Sequence, residues 1–183
     1  MGKFTIVKLH QFLNNIGITN FTNKNIGDFT VSAASIIDNE KYTNNIFNFQ
    51  NIPFYIEKLP VAEGYYDNVV LKNQIITLDH DNMLSNIHIL LNSNNGDYST
   101  EMLLNCEDSV KKIMTYAEDA FVVGEKSILF KGMHSVVHDH PLNYIDMFIH
   151  YQKINCYNKV NSIELPFNPD VHIFAITLEE NND

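Results

Sequence analysis

The chain has 183 residues, of which 45% are hydrophobic and 11% aromatic, so it is long enough for one domain with a substantial core. Its 22 acidic residues outnumber its 12 basic residues, all of which are lysine, and the formal net charge is -10. This balance argues against nucleic acid and anionic membranes as partners, because both are bound mainly through basic side chains.

Short β-rich runs separated by turn residues dominate the sequence, which predicts an all-β antiparallel sandwich with at most one or two short helices. We expect residues 1–183 to form a single domain, with a charged tail that frays over 179–183. Candidate helical turns at 10–15 and 109–113 are too short to be independent helices. The predicted strands are Phe4–Lys8, Ile46–Phe49, Phe54–Glu57, Val69–Leu71, Ile75–Leu78, Ile87–Leu91, Met102–Cys106, Lys112–Tyr116, Ser127–Phe130, Tyr144–Cys156, Lys159–Glu164 and Val171–Leu178.

Three blocks of sequence together resemble the galactose-binding-like β-sandwich (jelly-roll) domain that accompanies the catalytic domains of bacterial and fungal glycoside hydrolases. They are 51–56 with 67–69 and 74–76, then 89–97, then 162–178. Asn73 stands where that family usually has glycine before Gln74, and Asn can replace glycine there if its backbone is left-handed. The resemblance implies a non-catalytic carbohydrate-binding domain whose partner is a glycan or small sugar.

The first candidate ligand-binding residues surround the Asp-Asn pair at the start of a predicted strand. Asp67 and Asn68 carry the carboxylate and amide that hold neighbouring sugar hydroxyls, and Tyr65 and Tyr66 offer rings for stacking. The alternative is that Asp67 and Asn68 bond nearby backbone groups and shape the turn into Val69. Gln74 is interpreted in the same way, as a structural hydrogen-bonding residue.

A second candidate lies in the loop Asn94-Asn95-Gly96-Asp97-Tyr98, where Asn95, Asp97 and Tyr98 combine polar groups with an aromatic ring. Asn95-Gly96 is a strong signal for a tight turn, because both residues tolerate positive φ. The alternative to a ligand site is therefore a plain hairpin turn.

A histidine cluster raises a different hypothesis, a small metal-dependent enzyme that uses His134, His138 and His140. Histidines two residues apart on a strand point to one face, where Asp139 could complete the ligand set. His150 and His80 are possible remote ligands. The alternative is a histidine-rich loop that binds nothing, and His172 is interpreted as a core residue of a strand.

No other chemistry is indicated. The chain has no nucleophile-elbow motif, and adjacent carboxylates on a strand point to opposite faces, so we assign no catalytic residue. We expect no cofactor, although a structural Ca²⁺ is compatible with so many carboxylates. Cys106 and Cys156 are predicted to be free thiols. A protein partner, an enzyme on which the domain docks, is a third hypothesis for its function.

The compartment is left open. The first residues lack a signal-peptide pattern and no stretch is long enough to span a bilayer. We expect a secreted or cell-surface location if a signal has been removed, and a cytoplasmic one otherwise.

Overall fold

The computed structural model describes residues 2–20, 27, 29, 34–79, 82–134 and 144–181. Its strands are β1 (Phe4–Ile6), β2 (Ile18–Thr19), β3 (Ala34–Ile37), β4 (Ile46–Phe49), β5 (Ile52–Tyr55), β6 (Leu59–Val61), β7 (Gly64–Tyr66), β8 (Val69–Lys72), β9 (Ile75–Thr77), β10 (Leu84–Ser93), β11 (Tyr98–Cys106), β12 (Val110–Ala117), β13 (Ser127–His134), β14 (Tyr144–Asn158), β15 (Val160–Glu164) and β16 (Phe167–Glu180). Over these ranges the chain forms no helix that could cross a membrane.

The fold is an antiparallel β-sandwich, as the sequence predicts. The large sheet has the order β1-β16-β10-β14-β13-β3-β2, with β8 also paired to β16, and the small sheet has the order β12-β11-β15-β9. Every strand pair in these sheets is antiparallel except β2 with β3. The hairpins β4–β5 and β6–β7 form two further small sheets.

The centre of the large sheet is covered on both faces, which explains the nearly continuous apolar runs in β10 and β16. On one face Ile87, Ile89 and Leu91 join the core shared with the small sheet. On the other face Leu90 and Phe174 pack in a second core with Phe54 of the β4–β5 hairpin. The molecule therefore has three layers, with the large sheet in the middle.

Several connections cross from one sheet to the other, and residues with positive φ form two of the corners. Asn73, between β8 and β9, has φ 60°, so its backbone is left-handed and meets the condition under which Asn can replace glycine there. Gln74 completes this corner, because its amide donates to the carbonyl of Val70 at 2.7 Å and its oxygen accepts from the N–H of Lys72 at 2.6 Å. Gln74 is thus the structural residue that was predicted.

The Asn95-Gly96 turn corrects one expectation. Gly96 has φ 88°, as a tight turn requires, but β10 belongs to the large sheet and β11 to the small one. The turn is a corner between sheets and not a hairpin. Turn chemistry fixes the local backbone, whereas the pairing of the flanking strands depends on burial elsewhere in the chain.

Two further expectations were wrong. Val110 begins β12, so 109–113 makes no helical turn, because Lys111 and Lys112 lie on a strand that pairs with β11. The frayed tail predicted over 179–183 is contradicted at its start, since β16 continues to Glu180, which the ammonium of Lys3 contacts at 2.9 Å, whereas 182–183 lie outside the described residues. Cys106 and Cys156 are free, as predicted.

Candidate functional site

Asp67 lies in the interior, between the end of β7 and the start of β8. Its side chain is fully buried, and both oxygens accept hydrogen bonds. Oδ1 accepts from the N–H of Gly17 at 3.2 Å and from the amide of Asn68 at 2.8 Å, while Oδ2 accepts from the N–H of Ile18 at 2.9 Å. Asp67 therefore fastens the segment before β2 to the start of β8.

Asn68 extends these buried hydrogen bonds from Asp67 to Asn15 and His172. Its amide nitrogen also donates to Oδ1 of Asn15 at 3.0 Å, and its own Oδ1 lies 2.8 Å from Nδ1 of His172. Because the Asn68 oxygen can only accept, Nδ1 of His172 must carry the proton. Nε2 is then an acceptor, and the amide of Asn94 donates to it at 2.9 Å.

The two ionisable members of this chain have strongly shifted pKa values. Burial raises the pKa of Asp67 from 3.8 to about 7, against the opposing effect of the hydrogen bonds from Asn68, Ile18 and Gly17. Burial also lowers the pKa of His172 from 6.5 to about 3. The imidazole is therefore neutral at neutral pH, which agrees with its hydrogen-bond partners.

Gly17 is required by the close approach of this network. A β-carbon at Gly17 would lie 2.5 Å from the Asn68 amide nitrogen and 3.2 Å from Oδ1 of Asp67. Contacts this short do not occur without a shift of the buried groups. The Asp-Asn pair thus depends on a residue about fifty positions earlier in the chain.

The exposed loop between β10 and β11 lies at the other end of the same hydrogen-bond chain. Asn94 donates to His172 and to the carbonyl of Phe29, at 2.6 Å for the second bond, so the loop begins on a fixed residue. The structure therefore links the two sets of candidate residues, through His172 and Asn94. The Asp67-Asn68 pair lies beneath the loop and not at its surface.

Reciprocal carboxylate contacts hold the loop from its outer side. Asp97 accepts from the N–H of Asp119 at 2.8 Å, and Asp119 accepts from the N–H of Gly96 at 2.8 Å. The hydroxyl of Tyr116 donates to the second oxygen of Asp97 at 2.7 Å. This hydrogen bond is the main cause of the lowered pKa of Asp97 and of the raised pKa of Tyr116.

The tyrosines predicted to stack on a sugar differ in their surroundings. Tyr66 is half-buried against the core, and Tyr98 is half-buried with its hydroxyl donating to Asp170 at 2.9 Å. Tyr65 is 40% exposed, but the ammonium of Lys58 lies over its ring at 5.5 Å. Asn95 and Asp97 are exposed.

The buried placement of Asp67 and Asn68 corrects their interpretation as sugar contacts. Both side chains are enclosed, and their polar atoms are bonded to Gly17, Ile18, Asn15 and His172. The alternative given from the sequence, a structural pair, fits this geometry, although the partners are distant in the chain and are not the nearby backbone groups that it named. His172 is a core residue, as predicted.

The structure does not test the metal site predicted at His134, His138 and His140. His138, His140 and His80 lie outside the described residues, and for His134 only the backbone, at the end of β13, is described. His150 is buried, with Nε2 3.1 Å from the carbonyl of Asp119. Within the described ranges no three His, Cys, Asp or Glu side chains come together as metal ligands do.

Sequence reasoning missed Tyr116. Its ring is 47% exposed beside Asp97, although it lies in a strand predicted from its apolar neighbours. No sequence signal identifies it, because the alternation of Met114, Thr115 and Tyr116 predicts Thr115 on the solvent face, whereas the structure buries Thr115 and exposes Met114 and Tyr116.

A comparison with protein families supports the same fold. No curated protein matches the chain. A family model described as an AziU2-like beta-sandwich domain matches residues 3–182, which is nearly the whole chain. The match supports a β-sandwich, whereas the likeness to galactose-binding-like domains stays a prediction. The chain belongs to the AziU2-like beta-sandwich domain family.

Proposed function

We propose that this protein is a non-catalytic carbohydrate-binding domain that binds a glycan or small sugar at the loop between β10 and β11. The observation that carries the proposal is the exposed ring of Tyr116 with its hydroxyl fixed to Asp97 at 2.7 Å. An open aromatic face beside a held carboxylate is an arrangement suited to a sugar, whose ring stacks while its hydroxyls donate to the carboxylate.

The rigidity of the loop supports this proposal. The N–H of Gly96 donates to the carboxylate of Asp119, and the N–H of Asp119 donates to the carboxylate of Asp97, so the two sides of the site hold each other. Beneath it, Asn94 is held by His172. A site that is ordered before binding loses less conformational entropy when the ligand arrives. Asn95, exposed at the tip, adds an amide that can donate and accept.

The affinity should be low, because one exposed ring buries little apolar area. We expect a dissociation constant of roughly 0.1 to 1 mM, which corresponds to about -4 to -5.5 kcal/mol. The residues predicted from the sequence contribute unequally in this proposal: Asn95 and Asp97 contact the sugar, Tyr98 supports the loop, and Tyr65 and Tyr66 lie outside the site.

Titration of the ¹⁵N-labelled protein with neutral, acidic and amino sugars tests the proposal. We expect saturable shifts at Asn95, Asp97 and Tyr116 with at least one sugar. Tyr116→Ala should abolish them. Tyr157→Ala is the matched control, since Tyr157 is 63% exposed and lies near the corner where Val160 pairs with Cys106, at the other end of β11. If no sugar produces saturable shifts, the proposal is wrong.

A further inference from the structure

A groove of about 360 Å³ separates the edge of the large sheet from the edge of the small sheet, on a side of the sandwich away from Tyr116. Four successive residues at β1, Thr5 to Lys8, form one wall, and 77–79 at β9 forms the other. Leu78 and Leu178, both part of the core, line it as well.

The pairing register shows which backbone groups of β1 point away from β16, toward the outer edge of the large sheet. The N–H of Val7 donates to the carbonyl of Ile176 at 3.0 Å, and the N–H of Glu180 donates to the carbonyl of Lys3 at 2.9 Å. Alternate residues of an antiparallel strand bond to the same neighbour, so the N–H and C=O of Ile6 point away from β16.

The opposite wall has the same property. The N–H of Leu78 donates to the carbonyl of Asn161 at 2.8 Å, and the N–H of Leu165 donates to the carbonyl of Gln74 at 2.8 Å. The backbone groups of Thr77 therefore point away from β15. Among the described residues, neither Ile6 nor Thr77 has a backbone partner on its outward side.

We infer that this groove docks an extended segment of another polypeptide, which pairs with the outward edge of β1. The outward N–H and C=O of Ile6, beside the core residues Leu78 and Leu178, suit another strand that carries apolar side chains at every second position. The edge from Thr5 to Lys8 spans ~13 Å, which three or four extended residues match. The edge of β1 contributes more of the wall than β9 does.

The net charge of the protein favours a different polypeptide over a second copy of this chain as the occupant of the groove. Each copy carries a formal net charge of -10, so two copies repel each other, whereas a neutral or basic segment is attracted. Lys8 and Asp79 at the rim of the groove contribute one charge of each sign. The occupant is accordingly a neutral or basic extended peptide.

A synthetic heptapeptide library tests this inference, with Val, Ile or Leu at alternate positions and Thr or Lys between them. Fluorescence polarisation with the whole chain should give saturable binding for some members. N-methylation of the peptide at alternate amides, on the edge that faces β1, should weaken the best binder at least tenfold. Equal affinity for the N-methylated peptide, or no binding by any member, overturns the inference.

Two proline variants test which wall of the groove, β1 or β9, pairs with the peptide. Ile6→Pro removes an outward N–H and no bond to β16, so it should weaken peptide binding at least tenfold. Thr77→Pro makes the same change on the opposite wall and should leave affinity within about twofold. Unchanged binding by a folded Ile6→Pro overturns the inference. So does a concentration-dependent dimer that Ile6→Pro abolishes, because a second copy would then occupy the edge. If Ile6→Pro does not fold, the N-methylated peptide decides alone.

Discussion

The Oδ1 atom of Asn68 lies 2.8 Å from Nδ1 of His172, although 104 residues separate them in the chain. This contact joins β8 to β16 through side chains as well as backbone. It also places the proton of His172 on Nδ1. Nε2 therefore accepts the hydrogen bond from the amide of Asn94, at the start of the exposed loop. One buried amide thus connects the interior of the sandwich with the surface where a sugar is proposed to bind.

Removal of this amide should destabilise the protein strongly. Asn68→Ala removes the acceptor for Nδ1 of His172 and one donor each to Oδ1 of Asp67 and Oδ1 of Asn15, while the N–H of Gly17 still donates to Asp67. A buried polar group left without a hydrogen bond costs about 1–3 kcal/mol and each lost hydrogen bond about 1 kcal/mol, so we expect a loss of about 3–5 kcal/mol in the free energy of unfolding. Urea denaturation measures it.

Asn105→Ala is the control for this change. Asn105 is half-buried and donates to the hydroxyl of Ser162 at 3.0 Å, so its loss should cost about 1 kcal/mol or less. Equal losses in Asn68→Ala and Asn105→Ala would contradict the central place given to Asn68.

Asp67 and His172 should impose opposite pH dependences on stability. The raised pKa of Asp67 gives a contribution that is complete below 3.8 and is lost as pH rises through about 7. The lowered pKa of His172 gives a contribution that is complete above 6.5 and is lost as pH falls towards about 3. Between pH 4 and 6.5, roughly, the two slopes oppose and largely cancel.

Asp67→Asn should reveal the pH dependence of the free energy of unfolding that His172 causes. Relative to the natural protein, its free energy of unfolding should rise with pH by an additional ~1.4 kcal/mol per unit between about pH 4.5 and 6. Urea denaturation across this range measures the slope. Asp79→Asn, at an exposed carboxyl, should leave it unchanged. Parallel curves for the natural protein and Asp67→Asn would show that the pKa of Asp67 in the folded protein is not raised above this window.

Gly17→Ala should weaken the same network by steric means. The new methyl group would lie 2.5 Å from the Asn68 amide nitrogen, inside a packed interior, so we expect a loss of about 1–3 kcal/mol by thermal or urea unfolding. Gly2→Ala is the comparison, because the atom nearest to its methyl group would be Oε1 of Glu179, at the far end of a side chain and outside the Asp67-Asn68 network. Similar stabilities for the two variants would contradict the prediction.

The sequence predicted the large strands well, because their apolar residues recur at a clear period. It missed β2, β3, β6 and β7, whose two to four residues are too few to show one. The sequence also did not predict that Asp67 lies in the interior. An Asp-Asn pair beside two tyrosines has the composition of an exposed turn, and the donors that make its burial tolerable come from Gly17 and Ile18, far earlier in the chain.

Tyr116→Phe should move the titration of Asp97. The hydrogen bond from Tyr116 is the largest cause of the lowered pKa of Asp97, so its removal should raise that pKa towards 3.8. The N–H of Asp119 still donates to Asp97, so the return should be incomplete. Carboxyl ¹³C NMR measures the shift. Tyr98→Phe, which affects Asp170, should leave Asp97 as it was, and an unchanged midpoint in Tyr116→Phe would refute the assignment.

Gln152→Ala should promote self-association through β12. The side-chain oxygen of Gln152 accepts from the N–H of Tyr116 at 3.2 Å, and its amide lies 3.5 Å from the carbonyl of Met114. Gln152 thus covers part of an open strand edge on which Met114 is 61% exposed. Sedimentation velocity at high protein concentration and high ionic strength, where the repulsion between copies of net charge -10 is screened, should show larger species in Gln152→Ala. Lys153→Ala should stay as the natural protein, and a monodisperse Gln152→Ala would contradict the prediction.

The position of β16 between β10 on one side and β1 and β8 on the other has a consequence for biosynthesis. Residues 167–180 lie inside the large sheet, so β1 and β8 have no neighbouring strand in that sheet, and β10 has only β14, until this late segment leaves the ribosome. Their outer edges stay unpaired until then. The large sheet should therefore be completed only after residue 180 has left the ribosome, with the slow kinetics typical of pairings between distant segments, and nascent chains that stop before residue 167 should require chaperones.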